Sequence, residues 1–222
     1  MADIAIVDYG MGNLRSVAKA LEHVAPGASI SVTGDPDVVR GASRVVVPGQ
    51  GAMPDCLREL DKLGLREAVM DAAMRKPFLG ICLGLQMLFD SSEEGNVNGL
   101  GIVTGKVRRF AATAPASDTE QRLKVPHMGW NQVHQAVEHP MWKGIPQDAR
   151  FYFVHSYYVE TTHPEPLAAY THYPFPFACA VAKDNIFAVQ FHPEKSQEAG
   201  LALLSNFVHW QPALSRNTTS RL

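Results

Sequence analysis

Short apolar runs separated by amphipathic stretches dominate the first half of the chain. The apolar runs predict buried strands at Ile4–Asp8, Ile30–Thr33, Val45–Val47 and Phe78–Ile81. Between them, apolar residues recur at helical spacing, which predicts helices over about Asn13–Val24 and Cys56–Met74. Strands that are apolar on both faces and alternate with helices are typical of a parallel sheet covered on both sides. We therefore expect an α/β fold with an open, mostly parallel sheet flanked by helices.

Beyond Gly95 the pattern changes to short strand-like runs that are broken by proline and glycine. These runs predict strands at Gly105–Phe110, Asn131–Gln135, Phe151–Val154, Ala178–Ala182 and Ile186–Phe191. Asp184-Asn185 is typical of a hairpin turn, the small polar stretch Ala111–Glu120 predicts a loop, and Gln197–Trp210 predicts a final helix. The sequence thus predicts an antiparallel extension within a single domain at 1–212, followed by a polar tail at 213–222.

Composition narrows the functional class only slightly. The chain has 222 residues, of which 46% are hydrophobic, and a formal net charge of −2. This balance gives no electrostatic reason to expect nucleic acid or an anionic membrane, and no apolar run approaches the roughly 20 residues of a membrane span. Three scattered cysteines are too few for a disulfide framework or a zinc cluster. We expect a cytoplasmic protein without a metal or cofactor.

Cys82 stands in the run Gly80-Ile81-Cys82-Leu83-Gly84, at the end of a predicted buried strand. A nucleophile between two glycines at a strand-to-helix turn is the pattern of a nucleophile elbow. An amphipathic helix is predicted to follow, from the spacing of Leu83, Leu85, Met87, Leu88 and Phe89. The N-terminus of such a helix favours a thiolate over a thiol. From composition alone, however, a cysteine in such a region is more often a small buried hydrophobic residue.

His192-Pro193-Glu194 supplies a candidate base with a carboxylate two residues away. Proline disfavours a helical conformation at His192, and residues i and i+2 of an extended segment project to the same side. Glu194 can then hold one ring nitrogen of His192 and leave the other free to exchange a proton with Cys82. The alternative is that Glu194 only favours the start of the final helix.

A glycine-rich turn, Gly49-Gln50-Gly51, follows the predicted strand at Val45–Val47. Ligands of open α/β sheets bind beyond the carboxyl ends of strands, which is also where Cys82 is expected. Backbone N–H groups of this turn, together with that of Leu83, can stabilise an oxyanion. An ordinary glycine-rich turn explains the same residues equally well.

Together, the segments Gly80–Gln86 and His192–Glu194 resemble the signatures of class I (triad) glutamine amidotransferases. The resemblance spans nearly the whole chain and implies the flavodoxin-like open sheet of that family. It also implies hydrolysis of glutamine through a cysteinyl thioester, with Cys82 as nucleophile, His192 as general base and then acid, and Glu194 as the orienting carboxylate. The residues it implies around the glutamine are Gly49, Gln50, Gly51, Leu83, Gln86, His155, Ser156 and Tyr157.

Within that family, four segments are similar to the glutaminase subunits of imidazole glycerol phosphate synthases: Asp8–Ser16, Pro126–Asn131, Phe153–Tyr158 and His192–Ser196. This similarity implies a heterodimer with a separate cyclase subunit, a (β/α)₈ barrel, which receives the ammonia for histidine biosynthesis. The residues implied to face the cyclase are Asn13, Met128, Trp130, Asn131, Tyr152 and Lys195. The chain shows no phosphate-binding loop of its own, because Gly10-Met11-Gly12-Asn13 lacks the third glycine of a dinucleotide fingerprint.

One position departs from the pattern of these subunits. Gln50 stands where the glycine-rich turn more commonly has valine, and the family uses the backbone N–H at that position. Three other interpretations remain open from the sequence: the glutaminase of another synthase, such as anthranilate synthase; a binding subunit that has lost its chemistry; and an independent cysteine hydrolase.

Overall fold

The computed structural model describes residues 2–111 and 124–212. Its strands are β1 (Ile4–Val7), β2 (Ile30–Thr33), β3 (Arg44–Gly49), β4 (Phe78–Cys82), β5 (Phe89–Ser92), β6 (Val97–Asn98), β7 (Val103–Arg109), β8 (His127–Gln132), β9 (His134–Gln135), β10 (Arg150–His155), β11 (Tyr157–Thr161), β12 (Leu167–His172), β13 (Pro176–Lys183) and β14 (Ile186–Val189). Its helices are α1 (Leu14–Val24), α2 (Pro36–Gly41), α3 (Met53–Lys62), α4 (Leu65–Arg75), α5 (Leu83–Gln86) and α6 (Gln197–His209).

The main sheet has a parallel half and an antiparallel half. Strands β2, β1, β3, β4 and β14 are parallel neighbours in that order. The sheet then continues through the antiparallel neighbours β13, β11 and β7. Strands β8 and β10 form a separate antiparallel pair. The predicted open sheet with an antiparallel extension is confirmed.

Alternating side chains of the parallel strands bury two apolar layers. In β1, Ile4 and Ile6 pack with α1 and α6, whereas Ala5 and Val7 face the side covered by α2, α3 and α4. All four side chains are at most 1% exposed. Burial on both faces explains why these strands read as continuous apolar runs. Because β3, β4 and β14 are parallel neighbours, their carboxyl ends lie side by side at one edge of the sheet.

The predicted helix over Cys56–Met74 is divided in two. Gly64 adopts a left-handed conformation (φ 67°) between α3 and α4. This conformation costs glycine little and ends the first helix before the second begins.

The prediction of an amphipathic helix from Leu83 to Phe89 is wrong. Helix α5 ends at Gln86, and Phe89 begins β5, which pairs in parallel with β7. Leu85, Met87 and Phe89 are each 0% exposed, so the run is buried on every side. Its apolar residues therefore show no free helical face, and the spacing that suggested a long helix reflects complete burial.

The strand expected at Asn131–Gln135 is instead the end of β8 followed by β9, and β5, β6, β11 and β12 were not predicted. Except for Ala111, the loop predicted at Ala111–Glu120 lies outside the described residues, as does the tail at 213–222. No helix in the described ranges is both long and apolar enough to cross a membrane.

Candidate active site

Cys82 ends β4 in a strained backbone conformation. Its φ of 55° and ψ of −106° lie in a region that non-glycine residues rarely occupy. The side chain is 7% exposed. Such strain at a strand-to-helix turn is the geometry of a nucleophile elbow, which presents the sulfur at the edge of the sheet.

The two glycines of this elbow are required by close packing. A Cβ atom on Gly84 would lie 1.9 Å from the carbonyl oxygen of Val47 in β3, and one on Gly80 would lie 2.7 Å from the carbonyl oxygen of Gly84. Larger residues at either position would therefore push the elbow away from the sheet.

His192 and Glu194 meet as expected, but through a different backbone path. His192 itself is extended (φ −105°, ψ 97°), whereas Pro193–Lys195 forms a 3₁₀ turn. The turn brings Oε1 of Glu194 to 2.8 Å from Nδ1 of His192. Strand alternation was thus the wrong reason for their approach. Because a carboxylate only accepts, Nδ1 carries a proton and the other ring nitrogen, Nε2, is left for chemistry.

The free nitrogen of His192 faces the cysteine. Nε2 is buried and makes no hydrogen bond with a described residue. Burial alone would lower the pKa of His192, but the facing Cys82 thiolate and the Glu194 carboxylate raise that pKa to about 9. The raised pKa favours the imidazolium form of His192 near neutral pH.

The glycine-rich turn lies directly beside the elbow. Gly49 is the register partner of Cys82 in the parallel pair β3 and β4. The hydroxyl of Tyr9 donates to the carbonyl of Pro48 at 2.6 Å, and the thiol of Cys56 donates to the carbonyl of Gln50 at 3.5 Å. Two buried side chains thus hold the carbonyls on either side of Gly49 in place.

A cleft of about 430 Å³ opens in front of Cys82. Of the residues predicted to bind the substrate, those lining it are Gln50, Gly51, Leu83, Gln86, His155, Ser156 and Tyr157. Gly49 does not line the cleft and instead packs against Leu83 of the elbow. Lys195, which was expected to face a partner, also lines the cleft.

Two buried histidines connect the cleft wall to strand β8. Nδ1 of His155 donates to the carbonyl of Tyr157 at 2.7 Å, so Nε2 of His155 is unprotonated and accepts from Nδ1 of His127 at 2.9 Å. The side-chain amide of Asn131 in turn donates to Nε2 of His127 at 3.2 Å. Burial lowers the pKa of His155 to about 3 and that of His127 to about 4. Both rings are therefore neutral near pH 7.

The residues expected to face a partner lie mainly on the β8–β10 pair. Met128 is 61% exposed and Trp130 is 39% exposed. Trp130 is the register partner of Tyr152, and the ammonium of Lys195 lies 5.9 Å from the Tyr152 ring centre. Asn13 directly precedes α1, a helix that packs against the 3₁₀ turn containing Lys195. Large exposed apolar residues clustered in this way are typical of a protein interface.

Sequence reasoning missed two polar residues of this site. Glu94 lines the cleft, and its carboxylate accepts a hydrogen bond from the backbone N–H of Met53 at 2.8 Å. Gln190 is 0% exposed and its amide contacts Cys82. A glutamine inside the apolar run before His192 was the one available signal for Gln190. Nothing in the local sequence distinguishes Glu94 from its neighbour Glu93.

The three cysteines are all unpaired, and burial raises the pKa of Cys56 to about 12 and that of Cys179 well above its usual range. Cys82 alone stands at the cleft. Within residues 2–111 and 124–212, His, Cys, Asp and Glu side chains form no group of three suited to a metal ion.

Comparison with known families agrees with this geometry. The chain belongs to the class-I glutamine amidotransferase family, whose model matches residues 5–210. Within it, the chain is 74% identical over 212 residues to the imidazole glycerol phosphate synthase subunit HisH of Nitrosospira multiformis, covering 96% of this chain and 100% of that protein. It is 64% identical over 212 residues to the protein of the same name from Nitrosomonas europaea, with the same coverage.

Solved structures share the fold at much lower sequence identity. The structure of PurLQS from Thermotoga maritima matches with a TM-score of 0.70 and 18% identity, over 94% of this chain and 99% of that one. A structure described as a glutamine amidotransferase matches with a TM-score of 0.67 and 15% identity, over 94% and 100% of the two chains. These likenesses support the fold of the family.

Proposed function

We propose that this chain is the glutaminase subunit of an imidazole glycerol phosphate synthase and hydrolyses L-glutamine in the cleft at Cys82. The observation that carries the proposal is the convergence of Cys82, His192 and Glu194 at one edge of the sheet, beside a glycine-rich turn. The high identity to proteins named as a subunit of that synthase supports the choice of reaction.

In this proposal the Cys82 thiolate attacks the carboxamide carbon of glutamine, forming a C–S bond and placing negative charge on the carbonyl oxygen. Protonated His192 then gives its Nε2 proton to the leaving nitrogen, and the C–N bond breaks to release ammonia. Water next attacks the thioester while His192 accepts a proton from it, and glutamate leaves as the thiolate is regenerated. Glu194 holds the ring in the required orientation throughout.

We assign the stabilisation of the oxyanion to backbone N–H groups of Leu83 and of the turn at Gly49–Gly51. Removing one such donor from an active site costs roughly 3–4 kcal/mol of barrier. The backbone of this turn is therefore a suitable point of control. The role assigned to this turn is carried by backbone N–H groups, so the proposed chemistry does not require the Gln50 side chain.

The ammonia is proposed to pass to a separate cyclase subunit, a (β/α)₈ barrel, that docks on the face formed by Asn13, Met128, Trp130, Asn131, Tyr152 and Lys195. Free ammonia is mostly protonated in neutral water and then loses its nucleophilicity, so direct transfer preserves its reactivity. The cyclase uses it with phosphoribulosyl-formimino-AICAR ribonucleotide to make imidazole glycerol phosphate and AICAR in histidine biosynthesis. Met128 and Trp130 support this docking face by their exposure. We also infer a cytoplasmic location, since the proposed chemistry needs a reduced thiol.

Glutamate release tests the proposal. The purified chain is mixed with candidate barrel subunits, and glutamate is measured with and without the cyclase ligand. We expect the cyclase to co-purify with the chain and to raise turnover by more than about tenfold, since one oxyanion donor alone is worth about 10²–10³ in rate. Activation by the synthase partner of anthranilate synthase instead would assign the chain to another pathway. No glutamate release with any partner would contradict a glutaminase.

A further inference from the structure

Gln190 is a fully buried residue beside the proposed nucleophile, and the proposed mechanism gives it no role. It directly follows β14 and is 0% exposed. Its backbone N–H donates to the carbonyl of Cys179 at 2.8 Å, which fixes the main chain there. Its side-chain nitrogen Nε2 lies 3.6 Å from the sulfur of Cys82. A buried polar side chain needs partners, and those of Gln190 are unusual.

The orientation of this amide follows from its neighbours. The carbonyl oxygen of Tyr157 can only accept, so the atom of Gln86 that lies 3.1 Å from it is the nitrogen Nε2. The same nitrogen lies 3.1 Å from the other side-chain amide, so the atom of Gln190 facing it must be the oxygen Oε1. The NH₂ group of Gln190 is then the end that points at the sulfur.

These bonds use the whole hydrogen-bonding capacity of the Gln86 side-chain nitrogen. Both hydrogens of its Nε2 are donated within the protein, one to the Tyr157 carbonyl and one to Gln190. Only its oxygen is left to accept from a ligand in the cleft. Gln86 therefore both lines the cleft and fixes the direction in which Gln190 donates.

We propose that Gln190 donates an N–H hydrogen bond to the Cys82 thiolate and stabilises it, an assignment that rests on the proposed role of Cys82 as nucleophile. A hydrogen bond to the charged form of a group favours that form, and burial strengthens the effect. Helix α5 spans only Leu83–Gln86, so it contributes less to the thiolate than a long helix would. Gln190 and the His192 imidazolium together take over that role.

Several other polar groups lie near the Cys82 sulfur, and their charges bear on its ionisation. Tyr9 and Cys56 lie behind the glycine-rich turn near Cys82, and burial raises the pKa of both, so they remain neutral. Glu94 and Lys195 line the same cleft with opposite charges. His192 provides a cation that faces the sulfur, and Glu194 hydrogen-bonds the far side of its ring. Among these groups, Gln190 is the neutral donor whose N–H points at the sulfur.

The test uses the pH dependence of Cys82 alkylation by iodoacetamide in the full chain, located by mass spectrometry. Gln190→Leu removes the donor at similar size, and Gln190→Glu keeps the acceptor for Gln86 but replaces the donor with a carboxylate. We expect the midpoint of the alkylation profile to move up by about one pH unit in Gln190→Leu, a tenfold smaller thiolate fraction. The shift should be larger in Gln190→Glu, because two negative groups then face each other.

Gln135→Leu is the matched control. The Gln135 amide donates to the carbonyls of Ile145 and Pro146, both at 3.1 Å, far from the cleft in sequence and outside its lining. We expect it to leave the alkylation midpoint unchanged. If Gln190→Leu fails to fold, Gln190→Glu carries the test alone.

An unchanged midpoint in a folded Gln190 variant would overturn the proposal and leave Gln190 a purely structural residue. The measurement needs no glutamine and no cyclase, so it is independent of the proposed function. Failure of the proposed function would appear instead as absent glutamate release in the unaltered chain, whatever the alkylation profile of the variants.

Discussion

Nδ1 of His192 lies 2.8 Å from Oε1 of Glu194, and their side chains are 2% and 1% exposed. At this burial the carboxylate cannot be replaced by water, so it alone fixes the ring orientation and the protonated nitrogen. The pair is formed by the 3₁₀ turn at Pro193–Lys195, which packs against α6. The orientation of the proposed base is therefore built into a tight local turn.

Glu194→Gln should reduce glutamine hydrolysis by about 10²–10⁴-fold, the usual contribution of a positioned acid–base group. The substitution keeps the size of the side chain but removes the charge that supports the imidazolium. Glutamate release by the complex with the cyclase measures the effect. Glu198→Gln, an exposed position in the first turn of α6, is the control and should keep full activity. A loss of less than about tenfold at Glu194 would remove it from the mechanism.

Gly84→Ala should destabilise the fold and displace the elbow. The added Cβ would lie 1.9 Å from the Val47 carbonyl oxygen, whereas one added at Gly27 meets nothing within 4 Å. Overpacking of this kind typically costs about 1–3 kcal/mol. Urea unfolding measures it, with Gly27→Ala expected within about 0.5 kcal/mol of the unaltered chain. Equal unfolding free energies for the two variants would contradict the packing described for the elbow.

Asn185→Ala should cost about 1–3 kcal/mol of stability, because it leaves buried carbonyl groups without a donor. Asn185 is 3% exposed, and its side-chain nitrogen donates to the carbonyls of Ala73, at 2.9 Å, and Lys76 at the end of α4. It thereby joins the β13–β14 turn to the helix. Thermal unfolding checks the expectation, and the exposed Asn98 provides a control substitution that should have little effect. A neutral Asn185→Ala would show that water satisfies these carbonyls.

The buried histidine pair should make the protein less stable in mild acid. The pKa of His155 is lowered to about 3 in the folded chain, against about 6.5 when unfolded. As pH falls below about 6.5, the unfolded chain binds a proton that folded His155 refuses, so this contribution to stability declines steadily until about pH 3.

His155→Asn keeps a donor for the Tyr157 carbonyl but does not titrate, so it should lose less stability between pH 7 and pH 5. The expected difference from the unaltered chain is about 2 kcal/mol in the unfolding free energy. Urea titrations at both pH values measure it, and His23→Asn at an exposed helix position is the control. Identical acid sensitivity in His155→Asn would contradict a buried neutral ring.

Local patterns predicted the fold where burial was continuous and the geometry of the elbow where the motif was compact. The strands leading to Gly49 and Cys82 are apolar on both faces, so their runs identify them directly. The five residues from Gly80 to Gly84 contain the whole elbow. By contrast, the helix expected after Cys82 failed because complete burial hides the difference between a strand and a helix.

The remaining parts of the site depend on contacts between distant segments. Gln190 reaches Cys82 across 108 positions of sequence, and His127 reaches His155 across 28. No local spacing encodes such contacts, because they form only when folding brings β4 beside β14 and β8 beside β10. Glu94 likewise enters the cleft only through the path of the chain after β5.

The most direct test of the account compares two nitrogen sources in the complex of Cys82→Ala with the cyclase. We predict that glutamine-dependent synthesis of imidazole glycerol phosphate is abolished, since the nucleophile is gone, while added ammonium salts support synthesis at the rate of the unaltered complex. Glutamine-dependent synthesis that survives the substitution, or loss of both activities in a correctly assembled complex, would contradict the assignment of Cys82 as the nucleophile that releases the transferred ammonia from glutamine.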